Sequence, residues 1–282
     1  MAKDFFTVDE NYNRIIEDAL KDEYGNVKIN KISFIPTGWT NIVYEVSTNL
    51  GDFFFRFPRD QFWERTIVKD YQFAKYISGK TEFKTVELIL KENQGRPFSM
   101  HKKIEGTPLA LKMNTLTCVE VQKVCEQIAK FMYEVHNLKF DPKEVFSIDN
   151  IGLNLNDFIT ELLSLHVSDE DIKFWNNQNF DIYEDGYCLV HGDLNSSNVL
   201  LDENNNVAAI IDFGFGGFGN KYFDIARIIG RCPENFKSEI VGAYEGLDKS
   251  KLDMAEVDRN VGTWMNIDSG YINYMRSIGI YE

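Results

Sequence analysis

The sequence predicts an α+β chain of two lobes, a small antiparallel β-rich lobe over residues 1–104 and a larger, mainly helical lobe over residues 105–282. Three observations carry this. The first hundred or so residues alternate short β-branched and aromatic runs with turn signals at Gly38, Asn49-Leu50-Gly51 and Asn93-Gln94-Gly95. Further on, Val121, Val124, Cys125, Ile128, Phe131, Met132 and Val135 keep the spacing of one buried helix face. Between the two regimes, Glu105-Gly106-Thr107-Pro108 breaks the pattern.

Taken in order, Asp9 to Leu20 reads as a short amphipathic helix, followed by strands over Ile32–Pro36, Ile42–Ser47 and Phe53–Phe57. A helix is expected from Phe62 to Ile77, then strands over Val86–Leu90 and Phe98–Ile104. Beyond the break, helices are expected near 155–167, 221–230, 234–246 and 251–279, interrupted by short strands at Cys188–Val190, Val199–Leu201 and Val207–Ile211. No internal repeat or low-complexity segment interrupts this order. A cleft between two such lobes is a natural ligand site.

Composition narrows the function classes. A hydrophobic fraction of 44% and an aromatic fraction of 14% argue for a packed core rather than disorder. No apolar run approaches the ~20 residues of a membrane span, and the N-terminal residues are acidic where a signal peptide would be basic, so a cytoplasmic location is expected. Cys118, Cys125, Cys188 and Cys232 lack metal-ligand spacing and read as reduced, buried thiols. The net charge of −14 is unevenly spread: residues 1–140 sum to +1 and residues 141–282 to −15. Such a field favours a cationic small ligand, although on charge count alone a solvated acidic surface is the better account. The absence of a basic stripe argues against nucleic acid. No dimerisation stripe stands out, and a monomer is expected.

The chemistry concentrates in His191-Gly192-Asp193-Leu194-Asn195-Ser196-Ser197-Asn198 and Ile210-Ile211-Asp212-Phe213-Gly214. Phosphoryl transfer from a nucleotide needs one carboxylate to orient the attacking hydroxyl, and oxygen ligands for the Mg2+ that bridges the phosphates. Asp193 fits the first role; Asn198 and Asp212 fit the second. Each alone could be an Asx turn or a strand-end turn. Together, at 19 residues from Asp193 to Asp212 with the turn Asp202–Asn206 between, they form one constellation. His191 is expected to brace the loop rather than act in the chemistry. Asp224, opening an apolar helix, is expected to anchor the loop or to cap the helix. With only four His in the chain, a metal hydrolase has too few ligands.

These motifs, continued by Asp224-Ile225-Ala226 and joined by Gly38-Trp39-Thr40-Asn41, Phe57-Pro58-Arg59 and Glu134-Val135-His136-Asn137, resemble the aminoglycoside phosphotransferase family. That family also includes choline and methylthioribose kinases. The resemblance implies the bilobal protein-kinase-like fold, ATP or GTP as phosphate donor and Mg2+ as cofactor. It further implies that Arg56 stands where the family often carries Lys, with Asp70 (or, less favoured, Glu64) in place of a Glu partner. Arg keeps its charge and can grip phosphate oxygens bidentately. Thr40 and Asn41 would cover the phosphates, and the hinge at Lys103 and Ile104 would meet the purine through backbone groups.

The acceptor is the least legible part. Asp212 and Asp224 are 12 residues apart, and no Ala-Pro-Glu element follows, too little to seat a peptide. Glu239, Trp264 and Asp268 align with drug-contacting positions of the 2″-acting aminoglycoside kinases, or else form a solvated helix face with a core Trp. The leading expectation is an aminoglycoside, with a metabolic kinase of an amino alcohol or sugar second. A nucleotide-binding pseudokinase is third, motivated by the Arg56/Asp70 replacement.

Overall fold

The structure, a computed structural model, describes residues 11–36, 38–139, 158, 161 and 187–277. Helix α1 (Asn11–Tyr24) packs Ile16, Ala19 and Leu20 onto a five-stranded antiparallel sheet of order β1-β2-β3-β5-β4. Its strands are β1 (Ile29–Ile35), β2 (Asn41–Thr48), β3 (Gly51–Pro58), β4 (Ile89–Asn93) and β5 (Arg96–Lys102). The period of two in β3 sends Phe53, Phe55 and Phe57 into the sheet's core and turns Arg56 to the opposite face, which borders the cleft. Helix α2 (Gln61–Ile77) follows at once, its N-terminus capped by Asp60, which accepts from the amides of Phe62 (2.8 Å) and Trp63 (3.2 Å). The expected strand Val86–Leu90 lies three residues later, as β4. The turn residues Gln94 and Gly95 both take positive φ (52° and 80°), and this tight turn sets Asn93 opposite Arg96.

The second part opens with β6 (Thr107–Pro108), α3 (Leu109–Lys112) and the long α4 (Cys118–His136), whose start carries a Thr117/Glu120 capping box. Strands β7 (Tyr187–Val190), β8 (Val199–Leu201), β9 (Val207–Ile210) and β10 (Gly217–Asn220) precede helices α5 (Tyr222–Ile229), α6 (Glu234–Asp248) and α7 (Met254–Ser277). Strand β6 adds to the β8–β9 hairpin, and β10 pairs with β7. The main core joins the apolar face of α4 to Leu194, Val199, Ile210, Phe213, Ile225 and Phe236, directly beneath the loops after β7 and β9.

The fold is α+β and bilobal, as expected. The short elements β6, α3 and β10 are unexpected; the glycines of β10 have poor strand propensity, and pairing with β7 rather than local preference makes it extended. The expected helix near 155–167 lies outside the described residues except for Phe158 and Glu161, as do Asp9 and Glu10. Among the described residues, no helix is long and apolar enough to cross a membrane.

Candidate active site

The loop after β7 is held from below by one buried carboxylate. Asp224, in the first turn of α5, accepts from the amide of His191 at Oδ2 (2.8 Å) and from that of Gly192 at Oδ1 (2.9 Å). His136 of α4 adds its Nε2 at 3.3 Å, and its Nδ1 meets the Tyr244 hydroxyl at 2.8 Å. Burial alone would raise the Asp224 carboxyl, but these hydrogen bonds and the nearby imidazoles outweigh it and hold it below the usual carboxylate range. Gly192 sits at φ +79°, where a Cβ would come within 2.1 Å of the Phe215 carbonyl oxygen. The His191 ring bridges the loops: Nε2 donates to the Ile211 carbonyl (3.0 Å) and Nδ1 accepts from the Asp193 amide (3.2 Å). Both ring nitrogens are thereby engaged in bracing.

Asp193 emerges from this loop into the cleft. Asn195 Nδ2 bonds its Oδ1 (3.1 Å) and its carbonyl (3.2 Å), while Asn198 Nδ2 bonds the same carbonyl at 2.9 Å. The β8–β9 hairpin pairs Val199 with Ile210, and the Ile211 amide donates to the Asn198 carbonyl at 3.0 Å. Asn198 therefore stands beside the residue preceding Asp212. Asp212 adopts φ +69°, a left-handed conformation that Asp tolerates better than most residues. Its Oδ1 accepts from Arg56 Nη2 at 3.0 Å.

Arg56 also donates from Nη1 to Asp70 Oδ2 at 2.5 Å, and Asp70 Oδ1 accepts from the Phe213 amide at 2.7 Å. One arginine thus joins β3, α2 and the loop after β9. Burial works against the Arg56 charge, yet Asp70 and Asp212 more than offset it and hold its pKa above the ordinary value. Burial pushes the Asp70 carboxyl up, against the pull of Arg56.

A cavity of about 450 Å³ brings most of the expected residues together. Arg56, Thr40, Asn41, Asp193, Asn198 and Asp212 all line it. Asp70 lies behind Arg56. Lys103 and Ile104 are not among its lining residues: Lys103 Nζ pairs with Glu45 at 2.6 Å, and Ile104 packs on the main core. On the acceptor side, Trp264, Ile267, Asp268 and Tyr271 of α7 face Trp39 of the β1–β2 loop. The Trp39 and Tyr271 rings stack at 4.9 Å, and the Tyr271 hydroxyl donates to the Trp39 carbonyl at 2.7 Å.

Of the three expected acceptor contacts, Trp264 and Asp268 line the cavity and Glu239 does not. Glu239 lies on α6, which packs on α4, and it does not line the cavity. Trp264 is largely buried, its indole Nε1 donating to the Phe223 carbonyl at 3.1 Å, so only part of the ring borders the cleft. Asp268 does line the cavity, but its Oδ2 is held by Arg227 Nη1 at 2.7 Å and by Arg231. Sequence reasoning missed both arginines. Arg227 also donates from Nε to Asp193 Oδ1 at 2.7 Å. The signal was present: an Arg inside the Tyr222–Ile229 helix, apolar from Phe223 to Ile229 apart from Asp224, needs buried partners.

The donor set suits a hard cation. Asn198 commits its amide nitrogen to Asp193, which leaves its carbonyl oxygen as the ligand, and Asp212 supplies a partly exposed carboxylate. Among the described residues no cluster of three or more His, Cys, Asp or Glu could hold a metal alone. A two-donor set completed by phosphates and water is the usual arrangement for Mg2+.

Comparison with known proteins gives a consistent picture. A model described as the phosphotransferase enzyme family matches residues 31–257. An aminoglycoside 3′-phosphotransferase of Acinetobacter baumannii is 25% identical over 228 residues, covering 74% of this chain and 82% of the relative. Among solved structures, an aminoglycoside 2″-phosphotransferase in complex with GDP and kanamycin superposes with a TM-score of 0.70 at 20% identity, covering 94% of this chain and 93% of that one. A type I macrolide 2′-phosphotransferase superposes with a TM-score of 0.65 at 14% identity, covering 96% and 97%.

Proposed function

This chain belongs to the phosphotransferase enzyme family, and from that premise we propose that it moves the γ-phosphate of ATP or GTP, with Mg2+, to a hydroxyl of a small molecule. It is a small-molecule kinase in fold and family. In this reading residues 1–104 form the nucleotide lobe and residues 105–282 the catalytic and acceptor lobe. The observation that carries it is the meeting of Asp193, Asn198, Asp212 and Arg56 around one cavity. Asp193 orients the acceptor hydroxyl and takes its proton as the bond to phosphorus forms. Asn198 and Asp212 would hold Mg2+, which neutralises charge on the phosphate oxygens when bound. Arg56, steadied by Asp70, grips phosphate oxygens, and Thr40 and Asn41 cover them. The Lys103–Ile104 hinge lies outside this cavity, and with the Lys103 amide donating to the Asp52 carbonyl at 2.8 Å, it would meet the nucleotide base through its remaining backbone groups. His191 and Asp224 keep the loop in register.

The aminoglycoside 3′-phosphotransferase relative and the aminoglycoside 2″-phosphotransferase structure support an aminoglycoside as acceptor, beside a macrolide enzyme of the same fold. One observation favours a second reading, an amino alcohol or sugar of lower positive charge. Among the described lining residues every carboxylate already faces an arginine: Asp193 with Arg227, Asp212 with Arg56, Asp268 with Arg227 and Arg231. A polyamine here would meet carboxylates whose charge these arginines already partly neutralise.

The test is Mg2+-dependent nucleotide consumption against kanamycin-, gentamicin- and streptomycin-type drugs, choline, homoserine and methylthioribose, with ATP and GTP in parallel. Stimulation by an aminoglycoside supports the first reading, and stimulation by a metabolite alone supports the second. Asp193→Ala is expected to keep nucleotide affinity while lowering turnover by at least ~10²-fold. Unchanged turnover removes Asp193 from the mechanism. Asp212→Ala is expected to abolish the Mg2+ dependence of nucleotide affinity. Nucleotide binding by a wild type that turns over nothing points to a pseudokinase.

A further inference from the structure

We propose that Arg227 is the positioning residue of Asp193, fixing the rotation of its carboxylate and tying it to the acceptor-side helix α7. The inference rests on the phosphotransferase reading above and goes beyond it, because the motif that identifies the loop does not include this arginine. Three geometric facts carry it. The Arg227 guanidinium is buried in a helix whose other side chains from Phe223 to Ile229 are apolar apart from Asp224, so it holds its place through its partners. Those partners are two carboxylates on separate elements, Asp193 Oδ1 through Nε and Asp268 Oδ2 through Nη1, both at 2.7 Å. The face of Trp264 lies 4.3 Å from the guanidinium carbon and closes its remaining side.

The consequence for Asp193 is directional. Oδ1 receives Arg227 Nε and Asn195 Nδ2, whereas among the described residues Oδ2 has only a long contact to Asn198 at 3.4 Å. Oδ2 is therefore the oxygen left for an acceptor hydroxyl. Asp224 and Arg227 are three residues apart on α5 and share a face. One helix thus fixes the loop's backbone through Asp224 and its reactive side chain through Arg227. A cation beside this carboxylate is compatible with phosphoryl transfer. The transition state is loose, so the carboxylate contributes more by orienting the hydroxyl than by early proton removal. Arg231 completes the link by holding Asp268 from the solvent side.

The experiment uses the full-length chain with Arg227→Ala and Arg227→Lys, measuring kcat and KM for MgATP with the best acceptor of the panel above. Expected for Arg227→Ala is a kcat about 10²-fold lower, a nearly unchanged KM for nucleotide, and partial recovery on adding ethylguanidinium at sub-denaturing concentration. Lys is expected to fall between, since one ammonium cannot reproduce the two-pronged contact. An unchanged or increased kcat overturns the proposal. So does a loss of kcat that comes with loss of nucleotide binding and no recovery by ethylguanidinium, which marks a merely structural role. If the wild type transfers phosphate to no acceptor, the functional reading fails separately. The crystal structure of Arg227→Ala then decides: an Asp193 carboxylate that swings away from Asn195 supports the proposal, and one that stays put overturns it.

Discussion

Asp224→Asn is the sharpest probe of how the loop is held, because the substitution keeps the volume and removes one acceptor and the charge. The native carboxylate receives the His191 and Gly192 amides at 2.8 and 2.9 Å and His136 Nε2 at 3.3 Å, with no exposure to solvent. An amide can keep its oxygen where Oδ2 stands and retain His191, but its NH2 then faces the Gly192 N–H. One buried donor left unmet costs about 1–3 kcal/mol, and the two remaining bonds each weaken by about 1 kcal/mol once the acceptor is neutral. Losing the charge also removes its burial penalty, which opposes these losses. The expected net destabilisation is about 2–4 kcal/mol, read as a lower urea midpoint at unchanged slope.

The pH dependence supplies a second check. Because the folded carboxyl lies below its usual range, its stabilising contribution is present above the ordinary value of about 4 and is lost as pH falls through the lower folded value. The gap between wild type and Asp224→Asn should therefore be widest at pH 7 and narrow in acid below about pH 4. A destabilisation under ~1 kcal/mol at neutral pH, or a gap that does not narrow, refutes the account.

Three other expectations are independent of this one. Burial pushes His101 down to about 4, so the wild type should lose stability between pH 6.5 and 4 as the unfolded chain takes up the proton that the folded chain refuses. His101→Gln should flatten urea midpoints across that window, by up to about 3 kcal/mol. Gly192→Ala should lower stability by several kcal/mol and abolish turnover, since both φ and the Phe215 carbonyl forbid the Cβ; a melt superposable on wild type would count against the loop geometry. Arg56→Lys retains the charge but reaches only one of Asp70 and Asp212 well. Nucleotide affinity should weaken by roughly tenfold in equilibrium binding, and an unchanged affinity would place the phosphates elsewhere.

What could be read directly from the chain was local in origin. The alternation Phe53, Phe55, Phe57 determines that Arg56 faces away from the sheet's core, because side-chain direction in a strand has a period of two. The distance from Asp193 to Asp212, spanned by a hairpin closed at Asp202–Asn206, determines that the loop and the following carboxylate share one end of a sheet. Strand β10 depended instead on a partner, since its glycines favour nothing by themselves. The acceptor side depended on partners throughout. Glu239 and Asp268 are equally acidic in sequence, yet one sits on a helix packed against α4 and the other between two arginines at the cleft. That difference arises where α7 packs against α5, elements joined only through tertiary contact. Charge pairing in a partly buried cleft is decided by which helices pack together, and no spacing rule along the chain encodes that packing.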